Sequence, residues 1–201
     1  MHHLKLLSIA LVLTLLSVVV DNRSDAASDE TYAVYSASIK GISKSPENGQ
    51  AIELFVIAQT TGGIEDEIED VGNQILDQMK ASLSMPFQNA VSDYKEKRKK
   101  SQKLTRSFDL ETKYELIDKA DFNAFFKGKN LRMDWKNFYY KYPKSPGFIV
   151  FSNVGFDAER KHAIVYREIH CGSLCGDSSF VLLENINGRW KATNIIPVGA
   201  S

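Results

Sequence analysis

The sequence predicts an α+β fold in which helices pack on a C-terminal antiparallel β-meander. Three observations predict it. Between Phe148 and Pro197, four runs rich in β-branched and aromatic residues are separated by Gly, Asn and Asp, the pattern of short strands and their turns. Upstream, Ile64, Ile68, Val71, Ile75, Met79 and Leu83 recur every three or four residues, the apolar stripe of a helix. Finally, 201 residues without an internal repeat suit one domain preceded by a leader. One version of this fold is a cone-like sheet wrapped around a helix.

The runs of the meander are Phe148 to Phe151, Ala163 to Ile169, Phe180 to Leu183, and Trp190 to about Ile196. Asn187-Gly188 joins the last two, and Asn-Gly accepts the positive φ angles of a primed hairpin turn. Cys171 to Asp177 joins the middle two. Ile164-Val165 and Val181-Leu182-Leu183 are apolar on consecutive positions, so these strands need cover on both faces or a central place in the sheet.

The remaining elements supply that cover. Tyr32, Tyr35, Ile39 and Ile42 mark a short helix, Ser43 to Gly49 a loop, and Ile52 to Ala58 a buried strand. The helix from Ile64 to Leu83 starts with Glu65, Asp66, Glu67, Glu69 and Asp70 and has Lys80 near its end, an order that suits the helix dipole. Those acids lack the alternating ligands and turn glycine of a calcium loop. After Pro86 another helix carries Phe87, Val91 and Tyr94 into a basic run from Lys95 to Lys100. Lys113 to Ile117 reads as a strand and Asp118 to Phe126 as a helix with Asp118 as its N-cap. Met133 to Tyr142, stopped by Pro143, places Trp135, Phe138, Tyr139 and Tyr142 on one side. That stripe is expected to be core that covers the meander, the lesser alternative being the wall of a ligand pocket.

Residues 1–26 read as a signal peptide and 27–201 as the single α+β domain. Leu6 to Val20 is a fifteen-residue apolar stretch broken by Ser8, Thr14 and Ser17, and Ser24-Asp25-Ala26 has the small-x-small form of a cleavage site. The stretch is short for a span of ~20 residues, so an uncleaved anchor is the lesser alternative and no stable membrane span is expected after cleavage. The chain is therefore expected to be secreted or periplasmic. In an oxidising compartment Cys171 and Cys175 are most simply a disulfide pinning the hairpin bend. The alternatives are a redox pair, against which three intervening residues and strand-like flanks argue, or metal ligands joined by His170. Zinc would want a fourth ligand. Neither metal nor cofactor is expected.

With 25 basic and 25 acidic residues, the chain has no net charge, which argues against a nucleic-acid partner. There is no G-x-S-x-G, P-loop, H-E-x-x-H or G-x-G-x-x-G. Arg167 and Glu168 stand in the middle of an apolar strand, on opposite faces. The favoured reading is an edge charge that discourages sheet pairing; if one of the two orients a ligand, it is Arg167, on the same side as Val165 and Ile169. The candidate pocket is Trp135, Tyr139, Arg167 and His170.

The stretch from Trp135 to Trp190 carries W-K-N-F-Y, S-N-V-G-F, C-G-S-L-C-G and N-G-R-W. It resembles an uncharacterised family of bacterial exported proteins with that motif series. Tyr32 to Ala37 and Leu54 to Thr60 resemble the same family. Asp177 departs from it where a glycine is expected. The resemblance implies export and a single domain, and no activity. The function expected is a non-enzymatic binding or interaction module, whose partner is a small ligand or another exported protein. The alternative is a hydrolase or thiol-redox enzyme acting near His170, Cys171 and Cys175.

Overall fold

A computed structural model describes residues 28–42, 44, 49–62, 66–127 and 130–200. The expected signal peptide, most of the 43–49 loop and the acidic side chains of residues 65–70 lie outside what it describes. In chain order the elements are α1 (Asp29–Ile39), β1 (Leu54–Ala58), α2 (Asp66–Lys80), α3 (Met85–Lys97), β2 (Lys113–Ile117), α4 (Lys119–Phe125) and α5 (Leu131–Lys141). There follow β3 (Phe148–Phe151), β4 (Gly155–Phe156), β5 (His162–Gly172), β6 (Cys175–Ile186) and β7 (Arg189–Ala200).

All seven strands form one open sheet in the order β2-β1-β3-β5-β6-β7, with β4 paired to β5. The class is α+β. The meander β3-β5-β6-β7 is antiparallel, but β1 pairs in parallel with both β2 and β3, so the sheet is mixed. Parallel neighbours cannot be joined by tight turns and require crossovers. Here α2 and α3 lie in the connection from β1 to β2, and α4 and α5 in the connection from β2 to β3. The sheet is open, with β2 and β7 at its edges.

Side-chain alternation splits the core by face. On one face Phe55, Ile57, Ile149, Phe151, Val165, Ile169, Val181 and Leu183 pack with Tyr32, Tyr35 and Ile39 of α1. On the other, Ile164, Tyr166, Phe180 and Leu182 pack with Leu76 of α2 and with Phe87, Val91 and Tyr94 of α3. On that second face too, Val56, Ile117 and Phe148 meet Trp135 and Phe138 of α5 and Tyr142 at its C-cap. The helices therefore cover both faces, because consecutive apolar residues in β5 and β6 leave neither face fit for water.

Local chemistry sets the boundaries. Ser28, Asp118 and Asn130 cap α1, α4 and α5 by accepting from Thr31, Asp121 and Met133 N–H groups. Asn187 and Gly188 turn β6 into β7 with φ of 53° and 78°, the positive pair of a primed turn. Among the described side chains of α2 the fully buried one is Leu76, which the sequence stripe passes over. Ile75, Met79 and Leu83 of the apolar stripe pack beside it against the same cluster, half-buried. Within the basic run, Lys97 pairs with Asp93 and Lys99 with Glu96, while Lys95 reaches across to Asp77 of α2.

Candidate functional site

The two crossover pairs sit on the same face of the sheet, and a groove opens there between the α4–α5 pair and the sheet. Its volume is about 1150 Å³, and its floor is sheet. Thr60 to Gly62 and Ile117 to Lys119, which lead out of the carboxyl ends of β1 and β2, line one end. Crevices outside the carboxyl ends of parallel strands are where open α/β sheets hold ligands. The wall is aromatic, formed by Phe122 and Phe126 of the α4 region and Trp135 of α5.

The floor runs across three strands. Phe148 and Val150 of β3 lie beside His170 and Glu168 of β5, and Glu168 lies beside Ser178 of β6. Phe148 is the hinge between wall and floor. Its ring is nearly parallel to that of Trp135, 5.8 Å away at 11°, and to the His170 imidazole, 4.6 Å away at 13°. The cross-strand register that pairs Phe148 with His170 produces the second stack. Gly147 permits the approach: its φ is +103°, and a Cβ there would fall 1.9 Å from the His170 carbonyl oxygen.

One face of β5 carries Tyr166, Glu168 and His170 in a hydrogen-bonded row. The Tyr166 hydroxyl donates to Glu168 Oε1 at 2.8 Å, and His170 Nε2 lies 2.9 Å from Glu168 Oε2. A carboxylate only accepts, so Nε2 carries the proton in this contact. Burial, then the charge of Glu168, pushes the Tyr166 phenol far above its ordinary range, so Tyr166 stays a donor. The Glu168 side chain is 17% exposed and His170 43%. The row gives the groove a fixed carboxylate and an imidazole plane in a setting otherwise dominated by aromatic and aliphatic carbon.

The sequence-derived candidates are distributed as follows. Trp135 and His170 both border the groove. Tyr139 stands behind Trp135, with ring centroids 5.8 Å apart, and its hydroxyl donates to the Cys171 carbonyl at 2.8 Å. It ties α5 to the hairpin. Arg167 lies on the opposite face of the sheet, beneath α1. There Nη1 donates to the Ser38 carbonyl at 2.5 Å and Nη2 to Ser179 Oγ at 3.3 Å, with Asp177 3.7 Å away. The structure therefore does not bring Arg167 together with Trp135 and His170. Cys171 and Cys175 are joined across the β5–β6 turn, and Gly172, Ser173 and Gly176 of this hairpin border the groove. Sequence reading did not place Phe148, Phe122 or Phe126 in a groove, and of the two adjacent charges it chose Arg167 over Glu168 as the one to orient a ligand. The signal available for Glu168 was its parity with His170, since residues two apart share a strand face.

Among the described residues no cluster of His, Cys, Asp and Glu is arranged to hold a metal ion. No helix among them is long and apolar enough to cross a membrane. No family model, curated protein or solved structure matches the chain.

Proposed function

We propose that this chain is an exported, non-enzymatic binding module that holds a small ligand in the groove between the α4–α5 wall and the sheet. One observation carries the reading. A groove of about 1150 Å³ sets aromatic side chains opposite a floor on which Glu168 is fixed by two donors, and ligand sites combine apolar lining with few oriented polar groups in this way. The apolar leader, the small-x-small site and the disulfide support export. The exported family that the C-terminal motifs resemble supports the same compartment.

A second reading, hydrolysis with His170 as base, has the Glu168–His170 hydrogen bond in its favour. Among the described residues, however, no serine hydroxyl is hydrogen-bonded to His170. Thiol chemistry is disfavoured by the joining of Cys171 to Cys175.

The neutral apolar dye Nile red tests the binding reading. Val150 lies on the floor, so Val150→Trp fills the groove without touching the α1 face. The expected result is saturable dye binding that drops at least tenfold in Val150→Trp, with an unchanged circular dichroism spectrum. Binding that is equally strong in a folded Val150→Trp protein would place the dye elsewhere and sink the reading.

A further inference from the structure

We infer that the ligand of this groove is an organic cation. Its ammonium head sits over Glu168, and its apolar or aromatic body lies against Phe122, Phe126, Trp135 and Phe148. This rests on the binding reading above and adds the chemistry of the ligand.

Charge placement is the first argument. Four charged residues border the groove besides the imidazole of His170: Asp118, Lys119, Glu168 and Asp177. Asp118 and Lys119 are adjacent, opposite in sign and exposed, so at the rim they offset one another. Asp177 belongs to the other face of β6, where its carboxylate is 3.7 Å from Arg167. That leaves Glu168 as the charge of the floor, between Val150 and Ser178. A carboxylate offers about four acceptor positions. Tyr166 and His170, both on its own strand, use one on each oxygen. The remaining capacity is open to a donor, and the groove is the side from which a ligand can supply one.

The wall makes the second argument. Phe148 lies parallel to Trp135 and His170, and Phe122 and Phe126 are 4.9 and 5.6 Å from Phe148. Aromatic faces carry negative potential and attract alkylammonium groups within about 6 Å, most strongly when water is excluded. Rings and carboxylate thus favour the same sign of charge. An anionic ligand would have to lie beside Glu168, and unpaired like charges at low dielectric are costly.

Calorimetry on the purified protein with three probes sharing one aryl body tests this: benzylammonium, phenylacetate and benzyl alcohol. The cation is expected to bind at least tenfold more tightly than either of the others. Glu168→Gln should abolish that preference, bringing the affinity for the cation down to that for benzyl alcohol, whereas Asp118→Asn at the rim should leave the preference in place. Equal affinity for all three, tighter binding of phenylacetate, or a preference that survives Glu168→Gln overturns the cation assignment but leaves the groove a binding site. Absence of all probe binding, Nile red included, overturns both. Should Glu168→Gln fail to fold, the ranking of the three probes on the unaltered protein decides alone.

Discussion

At the scale of single residues, Asp157 shows what a buried carboxylate does when it is fully served. It accepts from the backbone N–H groups of Lys161 and His162, at 2.7 and 3.0 Å, and lies 2.9 Å from His162 Nδ1. Burial alone would raise its pKa, but the His162 and Lys161 donors together outweigh burial and hold it below the ordinary value. The fold therefore prefers the charged form. Its contribution is complete above the ordinary carboxyl pKa of about 3.9 and is lost as pH falls through the lower folded value. Asp157→Asn should cost about 2 kcal/mol at neutral pH, the scale of hydrogen bonds to a charged group. The difference from the unaltered protein should close in urea titrations as pH falls from the ordinary carboxyl range through the lower folded value. A gap that persists through that window would show that the interaction does not depend on ionisation. Arg167 teaches a different lesson about reading residues. It and His170 are three positions apart on one strand, and odd separations lie on opposite faces. Parity alone therefore separates Arg167 from His170 and groups Glu168 with His170. What parity cannot supply is the identity of the covering helix, which is why α1 over Arg167 was not legible.

At the scale of elements, the β5–β6 hairpin is the piece on which the groove depends most. Ser173 and Leu174 form its tip, with Leu174 87% exposed, while Cys171 is fully buried and Cys175 closes the bend. Composition marks only Phe180 to Leu183 in β6, yet pairing continues through Ser179, Ser178 and Asp177 down to Cys175. Those polar residues carry no strand signal of their own. Their neighbours in the ladder, and the covalent closure at its end, hold them extended. β7 is likewise longer than its apolar run, and shifts of register near Ser178 and Leu182 place extra residues in it, a local irregularity that alternation does not announce. Closing a loop this short removes little chain entropy, so replacing both cysteines by serine should cost about 2 kcal/mol. The loss should be spent on the hairpin: hydrogen exchange should rise first in 169–178, and Nile red affinity should fall because Gly172, Ser173 and Gly176 border the groove. Unchanged exchange in that segment would mean that the Tyr139 bond to the Cys171 carbonyl and the strand ladder position the hairpin unaided.

At the scale of the whole molecule, the sequence marks almost every helix and strand but not how they join. Ile52 to Ala58 and Lys113 to Ile117 are visible as strands from their own residues. Their parallel insertion beside β3 is a long-range pairing, and nothing local encodes it. The groove was obscure for the same reason, since its aromatic wall was legible as a helix stripe while its floor exists only once β3, β5 and β6 are in register. That shared sheet has a consequence for unfolding. All three core clusters rest on it, and no cluster keeps its apolar side chains covered if the strands separate. The two tryptophans sample opposite faces: Trp135 belongs to the α4–α5 cluster, and Trp190 contacts Phe156 in the α1 cluster, with ring centroids 5.7 Å apart. Trp135→Phe and Trp190→Phe leave one reporter each, so urea unfolding followed by the remaining indole should give the same midpoint and slope in both variants once each is referenced to its own circular dichroism curve. A midpoint for Trp135 well below that for Trp190 would show that the α4–α5 wall comes off the sheet as a separate unit. The groove would then be a surface assembled from two independently stable parts, and ligand binding would raise the Trp135 transition selectively toward the other.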